Sequence, residues 1–139
     1  MIQRIQTVHL LIAASLVGLF LGLGGTWLAG LADRMAWLPV AAYVLAGLTA
    51  ALALAAVFFY KQRATQMRVV LAAQVADVAL VLVLAGALAL SSFGGAATAE
   101  GLVQASVALL PVLAYIFLSL ARWGVRRDVE LVRSMDRLR

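Results

Sequence analysis

Four long apolar runs dominate the chain, and its polar residues gather almost entirely between them. The runs cover residues 7–31, 38–60, 69–90 and 101–123. Each is long enough to cross about 30 Å of hydrocarbon as a helix rising about 1.5 Å per residue. None shows the alternation of a barrel strand, and a chain this short cannot close a barrel, so helices are the spanning form that satisfies its backbone. The pattern predicts an all-α membrane protein. Its first unit, 1–123, is a four-transmembrane-helix bundle, and a short tail, 124–139, follows.

The connections carry the orientation. The first, 32–37, holds Asp33 and Arg34, which cancel, and Pro39 suits the opening turn of the next helix. The second, 61–68, reads KQRATQMR, with Lys61, Arg63 and Arg68 and no acid. The third, 91–100, reads SSFGGAATAE, with Glu100 its one charge and a Gly-Gly turn. Arg4, the second connection and the tail arginines therefore lie on one side, against Arg34 alone on the other. Lys and Arg in short loops mark the cytoplasmic face. An even number of spans also puts both termini on one side. The expectation is N-in, C-in, in a bacterial inner membrane.

Composition narrows the function classes. The chain has 139 residues, 65% hydrophobic and 12% charged, with mean hydropathy +1.06. Soluble domains run at roughly 45–50% apolar and about 25% charged, so a soluble or disordered chain is excluded. Four spans leave no room for a catalytic domain, and no enzyme activity is expected. The absence of cysteine excludes disulfides, thiolate metal sites, iron–sulfur clusters and c-type haem, and the single histidine excludes bis-histidine haem within one chain. No cofactor is expected. The net charge of +5 reads as topology and attraction to anionic headgroups, not as nucleic-acid binding. The opening Met1–Arg4 resembles a signal-peptide n-region, and Gly30-Leu31-Ala32 loosely resembles a cleavage site. The apolar run between them is about 24 residues, well beyond an h-region of about 7–15, and it reads as a span.

Helices in lipid associate through close backbone approach and a few polar contacts. Small-residue faces are offered by Ala14, Gly18 and Gly22, by Gly47, Ala51 and Ala55, and by Ala72, Ala76, Ala79 and Gly86. They are expected to pack within the chain, and a homodimer is the alternative use. Trp27, Trp37 and Trp123 lie near span ends, as interfacial aromatics do.

The intramembrane polar residues are His9, Gln74, Asp77, Gln104 and Tyr115. Asp77 lies eight residues past Val69, roughly 12 Å deep, where a charge costs several kcal/mol unless it is paired, wetted or neutral. Gln74 lies three residues earlier, and Gln66 and Arg63 project toward the same face. An interhelical hydrogen bond is one reading of Asp77, and a proton or cation relay to the basic loop is the other. Gln104, Ala108, Pro111, Tyr115, Leu118 and Arg122 share a face of the fourth span, from which Tyr115 and Gln104 are expected to meet Asp77. Pro111 frees the carbonyl of Val107. His9 reads as an interfacial anchor bonded to Gln6 or to the tail. A metal site would require converging ligands that helical spacing does not supply.

The tail reads as a short amphipathic basic cytoplasmic helix after a break at Gly124. Val125, Val129 and Val132 form its apolar strip, and Arg126, Glu130, Arg133 and Arg137 line another face within i,i+4 reach. It lies on anionic headgroups or docks a membrane or cytoplasmic protein. Three acids among the arginines favour a specific surface. The contact residues for partner or lipid are Arg4, Lys61, Arg63, Gln66, Arg68, Arg126, Arg127, Arg133, Asp136, Arg137 and Arg139.

The opening MIQRIQT, the loop Lys61-x-Arg63-x-x-Gln66-x-Arg68 and the closing Arg127-Asp128-x-Glu130-Leu131-Val132-Arg133-Ser134-x-Asp136-Arg137-Leu138-Arg139 resemble a membrane-protein family of Bacteroidetes-type bacteria, domain of unknown function 4293. The resemblance spans the chain, and its specific part is the terminal motifs. Met135 departs from the small residue usual there. The resemblance implies four helices, an inward terminus and an inner-membrane location, and it implies no activity. Three function classes then stand: an accessory protein binding a partner through the basic loop and tail; a small oligomeric transporter or proton-coupled carrier using Asp77; and a lipid-modifying membrane enzyme. The last has only His9, Asp33 and Asp128 to work with, in no recognisable arrangement. The accessory reading is preferred.

Overall fold

A computed structural model of the chain describes the backbone of residues 2–92 and 99–136, and the side chains of 5–90, 99–127 and 130. It comprises α1 (Ile2–Leu23), α2 (Gly25–Leu31), α3 (Trp37–Phe58), a 3₁₀ turn (Phe59–Lys61), α4 (Arg63–Ser92) and α5 (Ala99–Asp136). Four helical stretches are long and apolar enough to span: Ile5–Leu23, Trp37–Lys61, Arg63–Leu90 and Ala99–Arg127. The protein is a multi-pass membrane protein built as a four-helix bundle. Its principal contacts run α1–α3, α3–α4, α4–α5 and α5–α1, so each long helix packs on two antiparallel neighbours.

Three boundaries differ from the sequence expectation. The first apolar run is two helices, bent at Gly24, where Phe20 is fully buried. A Cβ at Gly24 would lie 3.2 Å from the Phe20 ring, so glycine lets the backbone close over that ring. Hydrogen bonding carries through the bend, from the Gly24 amide to the Phe20 carbonyl (2.8 Å) and from the Leu28 amide to the Gly24 carbonyl (3.0 Å). The basic connection 61–68 is mostly helix, because α4 starts at Arg63. Finally, α5 runs unbroken through Gly124, so the tail continues the fourth span on one helix. Gly124 is a packing residue instead: a Cβ there would lie 2.8 Å from Cγ of the buried Gln6 on α1.

The core mixes large side chains such as Phe20, Leu10 and Leu118 with many alanines. On α3 the buried face is Leu38, Ala42, Ala46, Thr49, Ala53 and Ala56. It packs on α4, whose buried residues include Val70, Ala73, Ala76, Asp77, Leu80 and Leu84. Alanine at four of the six buried α3 positions lets these backbones come close, which is where helices in lipid gain dispersion contacts. The small faces read from sequence contribute little. Gly18, Gly22, Gly47, Ala51, Ala72 and Gly86 are exposed, while Ala14 and Ala76 are buried. With small residues on several faces of α3 and α4, a small stripe does not fix helix rotation; the buried Thr49, Gln74 and Asp77 mark the inward faces.

Polar contacts hold the two ends. Gln66, expected as a partner contact, is buried and donates Nε2 to the Ala56 carbonyl (3.1 Å), one of the last carbonyls of α3. Arg34 Nη1 donates to the Leu90 carbonyl in the last turn of α4 (3.0 Å). A cation there complements the helix C-terminus, which accounts for the lone arginine at that end. Trp37 and Trp123 are exposed as expected, whereas Trp27 is buried with Leu28 and Leu31. The bend at Gly24 redirects α2, and Trp27 with it.

Candidate functional site

Two groups of polar residues stand out, one inside the bundle and one at the end carrying the N-terminus of α1. Inside, α4 and α5 are joined by a short chain of hydrogen bonds. Gln74 Nε2 donates to Ser119 Oγ (3.0 Å), and Arg122 Nη1 donates to Gln74 Oε1 (3.1 Å). One helical turn further along α4, Asp77 is fully buried, and neither carboxyl oxygen has a hydrogen-bond partner among the described residues. Thr49 Oγ1 on α3 is likewise buried and unpartnered. A buried unpaired polar group costs roughly 1–3 kcal/mol, and most natural cores avoid it.

The fourth-span stripe does not reach Asp77 as expected. Tyr115 is exposed on the outside of α5. Gln104 lies near the opposite end, in a cleft of about 470 Å³ with Thr26, Trp27 and Glu100. The residues that do join Gln74 are Arg122, the last of that stripe, and Ser119, which lies off it. The signal available for Ser119 was its place three residues before an arginine in an apolar span. Thr49 left a fainter one, as a hydroxyl in the alanine- and leucine-rich middle of α3.

At the other site, α1 and α5 enclose a cleft of about 520 Å³ lined by Ile5, Gln6, His9, Leu120, Gly124 and Arg127, with Trp123 and Glu130 at its edge. The His9 ring lies 6.0 Å from the Phe117 ring, centroid to centroid, and its buried Nδ1 has no hydrogen-bond partner among the described residues. The Arg127 guanidinium lies over the Trp123 ring at 4.9 Å. Arg126 pairs with Glu130 at 3.3 Å along the helix. His9 therefore lies against Phe117 and lines the cleft; beyond Arg127, the tail side chains it was expected to meet lie, Glu130 apart, outside the described residues.

Of the remaining contact residues, Lys61, Arg63 and Arg68 lie at or near the same end. Lys61 is exposed and lies 5.8 Å from the Tyr60 ring. Arg63 is half-buried, and Arg68 is exposed beside an apolar groove between α3 and α4. Arg4, Arg133 and Asp136 are on described helices, but their side chains lie outside the described residues, as do Arg137 and Arg139 altogether. Helix register brings the two basic segments level. Gln74 faces Ser119 and Arg122, so the start of α4 at Arg63 comes level with α5 at about residues 130–133. Gln6 faces Gly124, so α1 begins level with about residue 128, and the last two turns of α5 run past it.

A family model described as "Domain of unknown function (DUF4293)" matches residues 25–138. The chain belongs to that family. The match takes in α2 through the end of α5, and with it both basic segments and the Asp77 cluster, while the MIQRIQT opening lies before it. No curated protein and no solved structure matches the chain.

Proposed function

We propose that the protein is a membrane-anchored accessory protein that docks a partner on the basic end of its bundle, with that end cytoplasmic by its excess of Lys and Arg. The observation that carries this reading is the unbroken course of α5 to Asp136. A continuous helix carries the tail out along the bundle axis and holds it level with Lys61 and Arg63. A tail hinged at Gly124 would be free to lie flat on headgroups. Charge of both signs, including the Arg126–Glu130 pair, suits a protein surface better than lipid alone. The bundle is the anchor, and no catalytic step is assigned to it.

The test is affinity purification in mild detergent, comparing the full chain with one ending at Arg127. A stoichiometric companion that is lost on truncation, and that retrieves the full chain when itself tagged, supports the proposal. The same bare bundle from both chains removes it.

One observation favours a second reading, a proton-coupled carrier. Asp77 is an ionisable group buried in the span without a partner among the described residues, and such groups commonly mark proton or ion pathways. Proton flux into proteoliposomes that is present in the wild type and lost in Asp77→Asn supports it; no wild-type flux removes it.

A further inference from the structure

The cleft between α1 and α5 combines features that the docking proposal does not use. It sits at the last turns of the apolar span of α5, which runs to Arg127, so it opens near the level where hydrocarbon meets headgroups. Its walls change character along the bundle axis. Leu120 lies toward the membrane interior, and Arg127 lies two turns outward on the same helix. Gly124 forms the floor between them, and its lack of a side chain lets α1 approach through Gln6. The volume of about 520 Å³ falls within the range of small-molecule sites.

The polar groups are arranged for an anion. Glu130 is engaged by Arg126. Arg127 has no carboxylate partner among the described residues, and its contact is the face of Trp123. A guanidinium held over an aromatic ring still has N–H groups to offer to oxygen acceptors. His9 lines the same cleft, and its buried Nδ1 has no hydrogen-bond partner among the described residues, which leaves that nitrogen to be paired. A cation without a carboxylate partner among the described residues, an unpaired imidazole nitrogen and an apolar slot below them match one negative charge with a hydrocarbon tail attached.

We propose that the α1–α5 cleft is a binding site for a single anionic phospholipid, whose phosphodiester is held by Arg127 and His9 and whose upper acyl chain lies between Ile5 and Leu120. A zwitterionic lipid fits less well, because its ammonium would compete with Arg126 for Glu130. The groove between α3 and α4 supplies an internal comparison. It has a similar volume, about 550 Å³, and one arginine at its edge, Arg68, beside leucine, alanine and valine. It lacks a second polar donor and is therefore an ordinary acyl-contact surface.

The test is native mass spectrometry of the full chain in mild detergent, titrated with phosphatidylglycerol, with phosphatidylethanolamine, or with inorganic phosphate. One phosphatidylglycerol per chain is expected, retained in preference to phosphatidylethanolamine and not displaced by inorganic phosphate. Charge-assisted hydrogen bonds are among the stronger polar contacts, so Arg127→Gln is expected to weaken retention at least about tenfold. His9→Phe, which keeps the ring against Phe117, is expected to weaken it severalfold. Arg68→Gln removes equal charge from the neighbouring groove and is expected to leave retention unchanged. Equal losses in Arg127→Gln and Arg68→Gln would mean diffuse charge attraction and overturn the proposal. Displacement by inorganic phosphate, equal retention of both lipids, or no retained lipid would also overturn it. Thermal unfolding of each variant in lipid-free detergent separates loss of the site from loss of the fold.

Discussion

Replacing Gly124 by alanine sets two known effects against each other. In a helix interior, alanine is favoured over glycine by about 0.8–1 kcal/mol. The new Cβ, however, would lie 2.8 Å from Gln6 Cγ and 3.1 Å from its Nε2. Gln6 is only 4% exposed, so it has little room to withdraw, and overpacking of this kind costs about 1–3 kcal/mol. The expected net effect of Gly124→Ala is therefore between about zero and 2 kcal/mol of destabilisation. In a Gln6→Ala background the clash is gone and only the propensity gain remains, so the same substitution should stabilise by about 1 kcal/mol. The double-mutant cycle then yields a coupling of about 1–3 kcal/mol. SDS titration of the four proteins, followed by far-ultraviolet circular dichroism, measures it. Gln6→Ala carries a cost of its own, which cancels in the cycle. A coupling below about 0.5 kcal/mol, with Gly124→Ala stabilising in both backgrounds, would refute the claim that this glycine exists to admit α1.

Three further outcomes are expected. Asp77→Ala removes a buried carboxyl that has no partner, so the gain from removing it, about 1–3 kcal/mol, should offset the small cavity left behind; a loss above about 2 kcal/mol in detergent unfolding would mean that the carboxyl is engaged. Arg34→Gln loses its hydrogen bond to the Leu90 carbonyl, and amide hydrogen exchange should accelerate in the last turn of α4, with no change near Arg63. Because the chain has no cysteine, single cysteines report sidedness directly: Asp33→Cys should react with an impermeant maleimide in intact spheroplasts, and Gln62→Cys only after permeabilisation.

The spans were legible because a bilayer imposes length and apolarity, and no competing fold satisfies runs such as 38–60. Helix rotation was much harder to read. In a soluble bundle the polar face points to water and fixes rotation, whereas here Leu82 faces outward and Leu80 inward with the same chemistry. Gly18 and Gly22 carry a familiar packing spacing yet lie exposed, while the close approach of α1 to α5 depends on Gly124, which stands alone in its stretch. Polar residues were uneven guides. Gln74 and Asp77 are buried, but Tyr115 has an apolar ring that tolerates an outward position, and its stripe on α5 said nothing about which neighbour it faced. The bend at Gly24 was hidden because helical hydrogen bonds continue through it, leaving no interruption in the apolar pattern.

The claim that α5 carries a docking surface at the basic end is tested most directly by photo-crosslinking in native cells. A photoreactive phenylalanine analogue is placed at Glu130, at Gln62, or at the outward-facing Leu82. The account predicts one discrete protein adduct shared by Glu130 and Gln62 and absent from Leu82. Lipid adducts alone at all three positions, or the same protein adducts at Leu82 as at Glu130, would contradict it.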